Sequence, residues 1–199
     1  MNGPTMSSSS DGFDPMANRG FMAKLNVDEY FRMGETQRPM ELVYGFVREP
    51  PAPRYGHQSV LTHLVALLDE HVRDRQLGQV CVAPVDVVLD EAAALVVQPD
   101  IVFVAATHQA RVRDRVWGAP DLMVEILSPR TARRDRTTKL AWYRRYGVIE
   151  CWLVDVTHRS VEVVELQAHD ARRTPYSGDA PMHSTVLPNW TVAAAQIFS

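Results

Sequence analysis

Two carboxylates stand where a folding chain has little reason to put them. Asp100 follows Pro99 inside the apolar run "LVVQPDIVFV", and Glu125 interrupts "DLMVEILSPR" between Val124 and Ile126. Both runs read as strands. Successive strand residues point to opposite faces, so Glu125 shares its face with Met123 and Leu127. An unpaired buried carboxylate is costly. Taken singly, either acid reads as a solvent-facing or edge residue. Taken together on adjacent strands, they can converge on a divalent cation, which removes the penalty of burying them. Hard cations such as Mg²⁺ accept one or two carboxylates and complete their shell with water and phosphate oxygens.

A third group comes from the basic segment "RTARRDRTTKLAWYRRYG". Arg130, Arg133, Arg134, Arg136, Lys139, Arg144 and Arg145 are opposed there only by Asp135. One reading is a solvated helix face with an Asp135–Lys139 pair at i,i+4. Lys139 also has a more specific option. A strand running on from Glu125 to Ser128 travels roughly 10 Å, and a helix doubling back from about Thr131 to Lys139 travels roughly 12 Å. The two paths nearly cancel. Lys139 can therefore hang over Glu125 if it faces the sheet, beside the inner face marked by Leu140, Tyr143 and Gly147.

The elements that must position these groups are legible in outline. Residues 1–20 are rich in Ser, Gly, Asn and Pro and read as a disordered leader, leaving 21–199 as a single domain. Asn26 can cap a short helix, with Glu29 placed as its capping-box acid. "ELVYGFVRE" (41–49) reads as a strand or tight hairpin broken at Gly45. From His57 to Arg75, the spacing of Leu61, Leu64, Val65, Leu68 and Val72 predicts an amphipathic helix. Three strands follow: "QVCVAPVDVVLD" and "LVVQPDIVFV", joined as a hairpin by "EAAA", then "DLMVEIL" after a loop. A helix over about 131–146 stops at Gly147, and "ECWLVDV" and "RSVEVVEL" are strands around Thr157-His158. A polar loop covers 167–183. The crossover from "DLMVEIL" to "ECWLVDV" predicts a parallel, right-handed βαβ unit within a mixed central sheet flanked by helices.

Composition limits the rest. A net charge of −3 argues against general polyanion coating, so any nucleic-acid contact must come from a local basic patch. Cys81 and Cys151 lie in apolar runs and read as buried free thiols, which fits a reducing, cytoplasmic location. No apolar run approaches the roughly 18 to 20 residues of a membrane span.

"PD" at Pro99-Asp100 followed by a strand glutamate, in the order helix, three strands, helix, strand, resembles the PD-(D/E)XK nuclease superfamily and its restriction-endonuclease-like core. More closely, "ELVYG", His57 opening a helix, "QPDIVFV", "PDLMVEILSP", "RDRTTKLAWYRRYGVIECWLVDV" and "VLPNW" resemble the Uma-two restriction-endonuclease branch, over about 24–198. The chain departs from the superfamily pattern at Leu127, where a lysine two residues after the glutamate is usual. In the Uma-two branch, the resemblance implies that a lysine of the following helix takes that role, and Lys139 matches it.

The resemblance implies metal-dependent hydrolysis of DNA. Asp100, Glu125 and the backbone carbonyl of Ile126 would hold Mg²⁺ or Mn²⁺, and Lys139 would orient water or stabilise developing charge. Glu41 stands either as an extra acid for a second metal or as a turn residue before Gly45. His57, Gln98, Arg134 and Arg136 are candidate substrate contacts. Cutting both strands needs two sites, so a homodimer is in keeping with such nucleases. The competing functions are a non-catalytic nucleic-acid-binding or assembly module on the same fold, and a hydrolase of another phosphate ester.

Overall fold

The structure, a computed structural model, describes residues 24–34, 39–167 and 171–199; the expected leader over 1–20 lies outside them. The chain opens on helix α1 (Val27–Arg32), and its capping box is formed: Asn26 Oδ1 accepts from the Glu29 amide at 2.8 Å, and Glu29 Oε2 from the Asn26 amide at 2.9 Å. Strands β1 (Glu41–Val43) and β2 (Phe46–Arg48) make the tight hairpin. Its two turn residues, Tyr44 and Gly45, have φ of 51° and 90°. Two left-handed residues give the turn the twist of the strands it joins.

Helix α2 (Tyr55–Asp74) is the expected amphipathic helix, begun two residues early. The next two strand predictions need correction. Each run divides at a proline between two sheets. "QVCVAPVDVVLD" becomes β3 (Gly78–Val82) and β4 (Val87–Asp90), divided around Pro84; "LVVQPDIVFV" becomes β5 (Leu95–Val97) and β6 (Ile101–Ala105), divided around Pro99. Proline has no amide to donate to a ladder, so a strand ends there or leaves its sheet. The hairpin pairing survives in both halves: β4 pairs with β5, and β3 with β6, each antiparallel. Gly78 is obligatory at the start of β3. Its φ is +154°, and a Cβ there would lie 2.1 Å from the Val104 carbonyl oxygen.

The presumed loop after β6 holds a 3₁₀ turn (Ala106–Arg111) and a short strand β7 (Val116–Trp117). Strand β8 (Leu122–Leu127) then leads into a continuous helix, made of α3 (Ala132–Arg134), a π-helical turn over Asp135–Lys139 and α4 (Leu140–Tyr146). It stops at Gly147, φ 95°. Strands β9 (Glu150–Asp155) and β10 (Ser160–Glu165) follow. The polar stretch read as loop contains a further strand, β11 (Arg172–Ser177), paired along its whole length with β10. A short helix α5 (Ala194–Ile197) closes the fold.

There are thus two mixed sheets rather than one. The larger has the order β11-β10-β9-β8-β6-β3, and the smaller β2-β1-β5-β4-β7. In the larger sheet, β8 and β9 are parallel, as a βαβ crossover requires, and the other pairs are antiparallel. Alternation along β8 divides the core. Leu122, Val124 and Ile126 pack with Leu61, Leu64 and Leu68 of α2. Met123 and Leu127 pack with Leu140 and Tyr143 of the π-containing helix. Among the described residues, no helix is long and apolar enough to cross a membrane.

One buried acid is purely architectural. Glu150 is fully buried, and its oxygens accept from Trp152 Nε1 (2.7 Å), Ser184 Oγ (2.6 Å), and the amide and hydroxyl of Thr185 (both 2.7 Å). It pins the C-terminal segment to the start of β9. Glu150→Ala strands these donors, so the expected cost is about 3 kcal/mol, read as a lowered urea midpoint.

Candidate active site

The larger sheet opens where the acids stand. The β6–β8 ladder ends at the pair Ile101–Val124. One more step would set Asp100 opposite Glu125. Instead the Asp100 backbone carbonyl accepts from the Ala83 amide at 2.9 Å, while its side chain crosses the opening. Asp100 Oδ2 accepts from the Ile126 amide at 2.6 Å, and Oδ1 lies 3.1 Å from His57 Nε2 at the start of α2. The strand break at Pro99 therefore frees Asp100 from the ladder and aims it at β8.

Glu125 points to the face covered by the π-containing helix, with Met123 and Leu127. Lys139 returns over it: Nζ donates to Glu125 Oε1 at 2.8 Å and to Oε2 at 2.9 Å. The same ammonium lies 3.1 Å from Glu41 Oε1 and 4.0 Å from Asp135 Oδ1. Tyr143 donates its hydroxyl to Glu125 Oε1. Asp135, Lys139 and Tyr143 lie four residues apart along this helix, and all three are buried. The wider π turn (Asp135–Lys139) lies between the N-terminal turn and α4, a feature frequent at functional sites.

The charges do not balance within this cluster. Burial raises the Glu125 carboxyl well above the usual range; Lys139 draws it back, while Asp135 and Asp100 push it up again. Burial likewise raises Asp135 against the pull of Lys139. For Lys139, burial acts downward, but Glu125, Glu41 and Asp135 outweigh it and hold the ammonium firmly charged. Burial would raise Glu41 too, yet Lys139 and Arg134 bring it below the ordinary value. Removing the phenol's hydrogen bond tests its part. Tyr143→Phe keeps the packing, so we expect a stability loss of about 1 kcal/mol by thermal unfolding, the net worth of one hydrogen bond.

The remaining candidates take distinct places. Arg134 Nη1 lies 2.8 Å from Glu41 Oε2, and its guanidinium stands over the Trp142 ring at 5.2 Å. Arg136 bridges Glu162 at 2.7 Å and Asp155 at 3.4 Å. Both charges are thus engaged within the protein. Gln98 accepts from the Met40 amide at 3.0 Å and donates to Asp86 at 2.9 Å, at the edge of a cleft that Tyr30, Phe31 and Arg115 also line. Asp135 and Tyr143 join the cluster, where one reading of the sequence made Asp135 half of a solvated pair; Tyr143 is the core aromatic expected, and their shared i,i+4 spacing with Lys139 was the available signal.

The donor chemistry fits a hard divalent cation. Every nearby acidic donor is a carboxylate oxygen, and burial above all disfavours a negative charge on Glu125. Glu41 Oε2 is buried, 2.8 Å from Arg134 Nη1. Among the described residues, no three His, Cys, Asp or Glu side chains form a ready-made metal cage. Carboxylates such as those of Asp100 and Glu125 are the donor type of an ion such as Mg²⁺, which takes one or two of them and keeps water and substrate oxygens in its shell.

Comparison with known proteins identifies the fold and the family. The sequence matches the Uma2 family, described as "Putative restriction endonuclease", over residues 27–195. No curated protein matches the chain. Among solved structures, the fold is similar to a "putative nuclease belonging to DUF820" from Anabaena variabilis ATCC 29413, at 19% identity and a TM-score of 0.73, covering 87% of this chain and 97% of that one. At that identity the likeness establishes the fold. The match over 27–195 establishes the family: the chain belongs to the Uma2 restriction-endonuclease family.

Proposed function

We propose that the protein is a Mg²⁺- or Mn²⁺-dependent endonuclease that hydrolyses phosphodiester bonds in DNA. One observation carries this reading: Lys139, brought back by the helix after β8, donates to both oxygens of Glu125, while the amide of the next residue, Ile126, donates to Asp100. A lysine that the superfamily usually takes from the strand is supplied here from the helix. Family membership supports nucleic acid as the substrate class.

In this reading Asp100 and Glu125, with the Ile126 carbonyl, would hold the ion. A bound Mg²⁺ supplies Lewis acidity, lowering the pKa of attacking water and offsetting phosphate charge. His57 and the Ile126 amide fix the Asp100 carboxylate, so its orientation is set before substrate arrives. Lys139 keeps its proton, and one of the two N–H groups now donated to Glu125 would turn toward the attacking water or a non-bridging phosphate oxygen, where negative charge grows. Glu41 and Asp135 hold that ammonium from two further sides. The reaction adds one water across the P–O bond: its oxygen bonds to phosphorus, the bond to the leaving oxygen breaks, and the leaving oxygen takes a proton. The two free thiols, Cys81 and Cys151, suit a cytosolic protein.

A second reading, a non-catalytic nucleic-acid-binding module, draws on the commitment of both Glu125 oxygens to Lys139. One experiment separates them. Supercoiled plasmid incubated with purified protein should be nicked or linearised with Mg²⁺ or Mn²⁺ and remain intact in EDTA. Binding without cleavage of DNA or RNA under either metal would overturn the nuclease reading.

A further inference from the structure

Arg134 and Arg136 are engaged in internal ion pairs, yet other cations around the same site have no partner. Arg54, Arg130 and Arg133 are exposed, and among the described residues none of their guanidinium groups makes an ion pair or hydrogen bond. They stand on two sides of one sheet edge. Arg54 caps the start of α2, which packs on the face bearing Leu122, Val124 and Ile126. Arg130 and Arg133 begin the helix covering the opposite face, which bears Met123 and Leu127. The first turn of α2 also reaches the carboxyl ends of β8 and β9. His57 lies 3.1 Å from Asp100, which accepts from the Ile126 amide, and a Cβ at Gly56 would sit 3.7 Å from Val156. Crevices at the carboxyl ends of parallel strands are the usual ligand sites of open α/β sheets.

Two further features suit the edge to a polyanion. Two of its acids are paired: Asp155 with Arg136, and Glu162 with Arg136 and Arg173. None of these acids forms an ion pair with Arg54, Arg130 or Arg133, so the three guanidinium groups remain open to a phosphate. Tyr55, between Arg54 and the His57 turn, is 90% exposed, the most open large hydrophobic side chain among the described residues. An exposed ring beside unpartnered arginines matches the way unpaired nucleic acid is held: phosphates by charge, bases by stacking.

We propose that Arg54, Arg130 and Arg133 form a rim that grips phosphates on either side of the catalytic opening, with Tyr55 stacked on an unpaired base of a single-stranded segment. This rests on the nuclease reading only for where the scissile phosphate lies. The test is fluorescence anisotropy of the full chain with a labelled single-stranded oligonucleotide in EDTA, across a salt series. The triple variant Arg54→Gln/Arg130→Gln/Arg133→Gln should weaken binding about 10- to 100-fold and reduce the slope of log affinity against log salt by about 2. Tyr55→Ala should weaken single-strand binding about 5- to 100-fold with the slope unchanged. Arg145→Gln, at the far end of the same helix, should bind as the wild type does. Circular dichroism establishes that each variant is folded. A folded triple variant with wild-type affinity and slope overturns the rim, as does a wild-type protein that binds no oligonucleotide. A Tyr55→Ala variant with unchanged affinity overturns the stacking. Wild-type protein that binds with this pattern but cuts nothing under Mg²⁺ or Mn²⁺ leaves the rim standing and removes the nuclease reading.

Discussion

Lys139→Met is expected to abolish cleavage and to destabilise the protein in a pH-dependent way. Methionine fills much the same volume but leaves Glu41, Glu125 and Asp135 buried around a missing ammonium. Removing one partner of a buried ion pair costs about 3–5 kcal/mol. Glu125 and Asp135 can relieve part of this by binding protons, because their folded pKa values already lie above the unfolded ones and Lys139 is what restrains them. A raised acid contributes stability below its unfolded pKa, and that contribution is lost as pH rises through the folded pKa. The deficit of the variant should therefore be smallest near pH 5 and grow as pH rises past about 8, where Glu125 ionises beside Lys139 in the wild type but not in the variant. Urea unfolding of both proteins across that range measures it. Equal deficits at both ends would mean that the acids do not take up protons when the lysine is removed. Retained metal-dependent plasmid cleavage would remove Lys139 from the mechanism.

Glu125→Gln separates function from stability. The amide keeps the shape of the side chain and can still accept from Lys139 and Tyr143 through one oxygen. It also removes a charge that burial, Asp135 and Asp100 all disfavour. The lost second bond to Lys139 and the relieved repulsion oppose each other, so stability should stay within about 1 kcal/mol of wild type. Activity should not survive. Charge stabilisation by a held ion is worth several kcal/mol, so its loss lowers the cleavage rate on the order of 10³-fold or more. Plasmid cleavage and thermal unfolding on one preparation give both readouts. A stable variant that still cuts would exclude Glu125 as an ion-holding residue.

The opposite behaviour of these two substitutions follows from where charge sits. Lys139 is the only ammonium that three buried acids share in this cluster, whereas Glu125 is one of several acids competing for it. Natural cores keep such crowding only where something compensates it. Glu125 and Asp135, whose carboxyls burial raises despite Lys139, therefore mark the functional region.

Much of this was legible in the sequence, because it depends on neighbours along the chain. Strand alternation placed Glu125 with Met123 and Leu127, and Met123 and Leu127 do pack on the face of the π-containing helix. Matching path lengths brought Lys139 back to Glu125. The Asn26–Glu29 capping box and the stop at Gly147 were written in residue type and spacing. What the sequence did not determine was which distant groups would meet. Pro84 and Pro99 divide two apparent strands between two sheets, and only that division carries β1 to the site, so that Glu41 meets Lys139 and Arg134. Asp135 looks like half of a surface pair until the helix is laid against the sheet and buries it. Arg134 and Arg136 look free for substrate until Glu41, Glu162 and Asp155 arrive beside them. Backbone geometry fixes the direction of a side chain from its immediate neighbours, but the partner of a buried charge is chosen by whichever distant element packs against it.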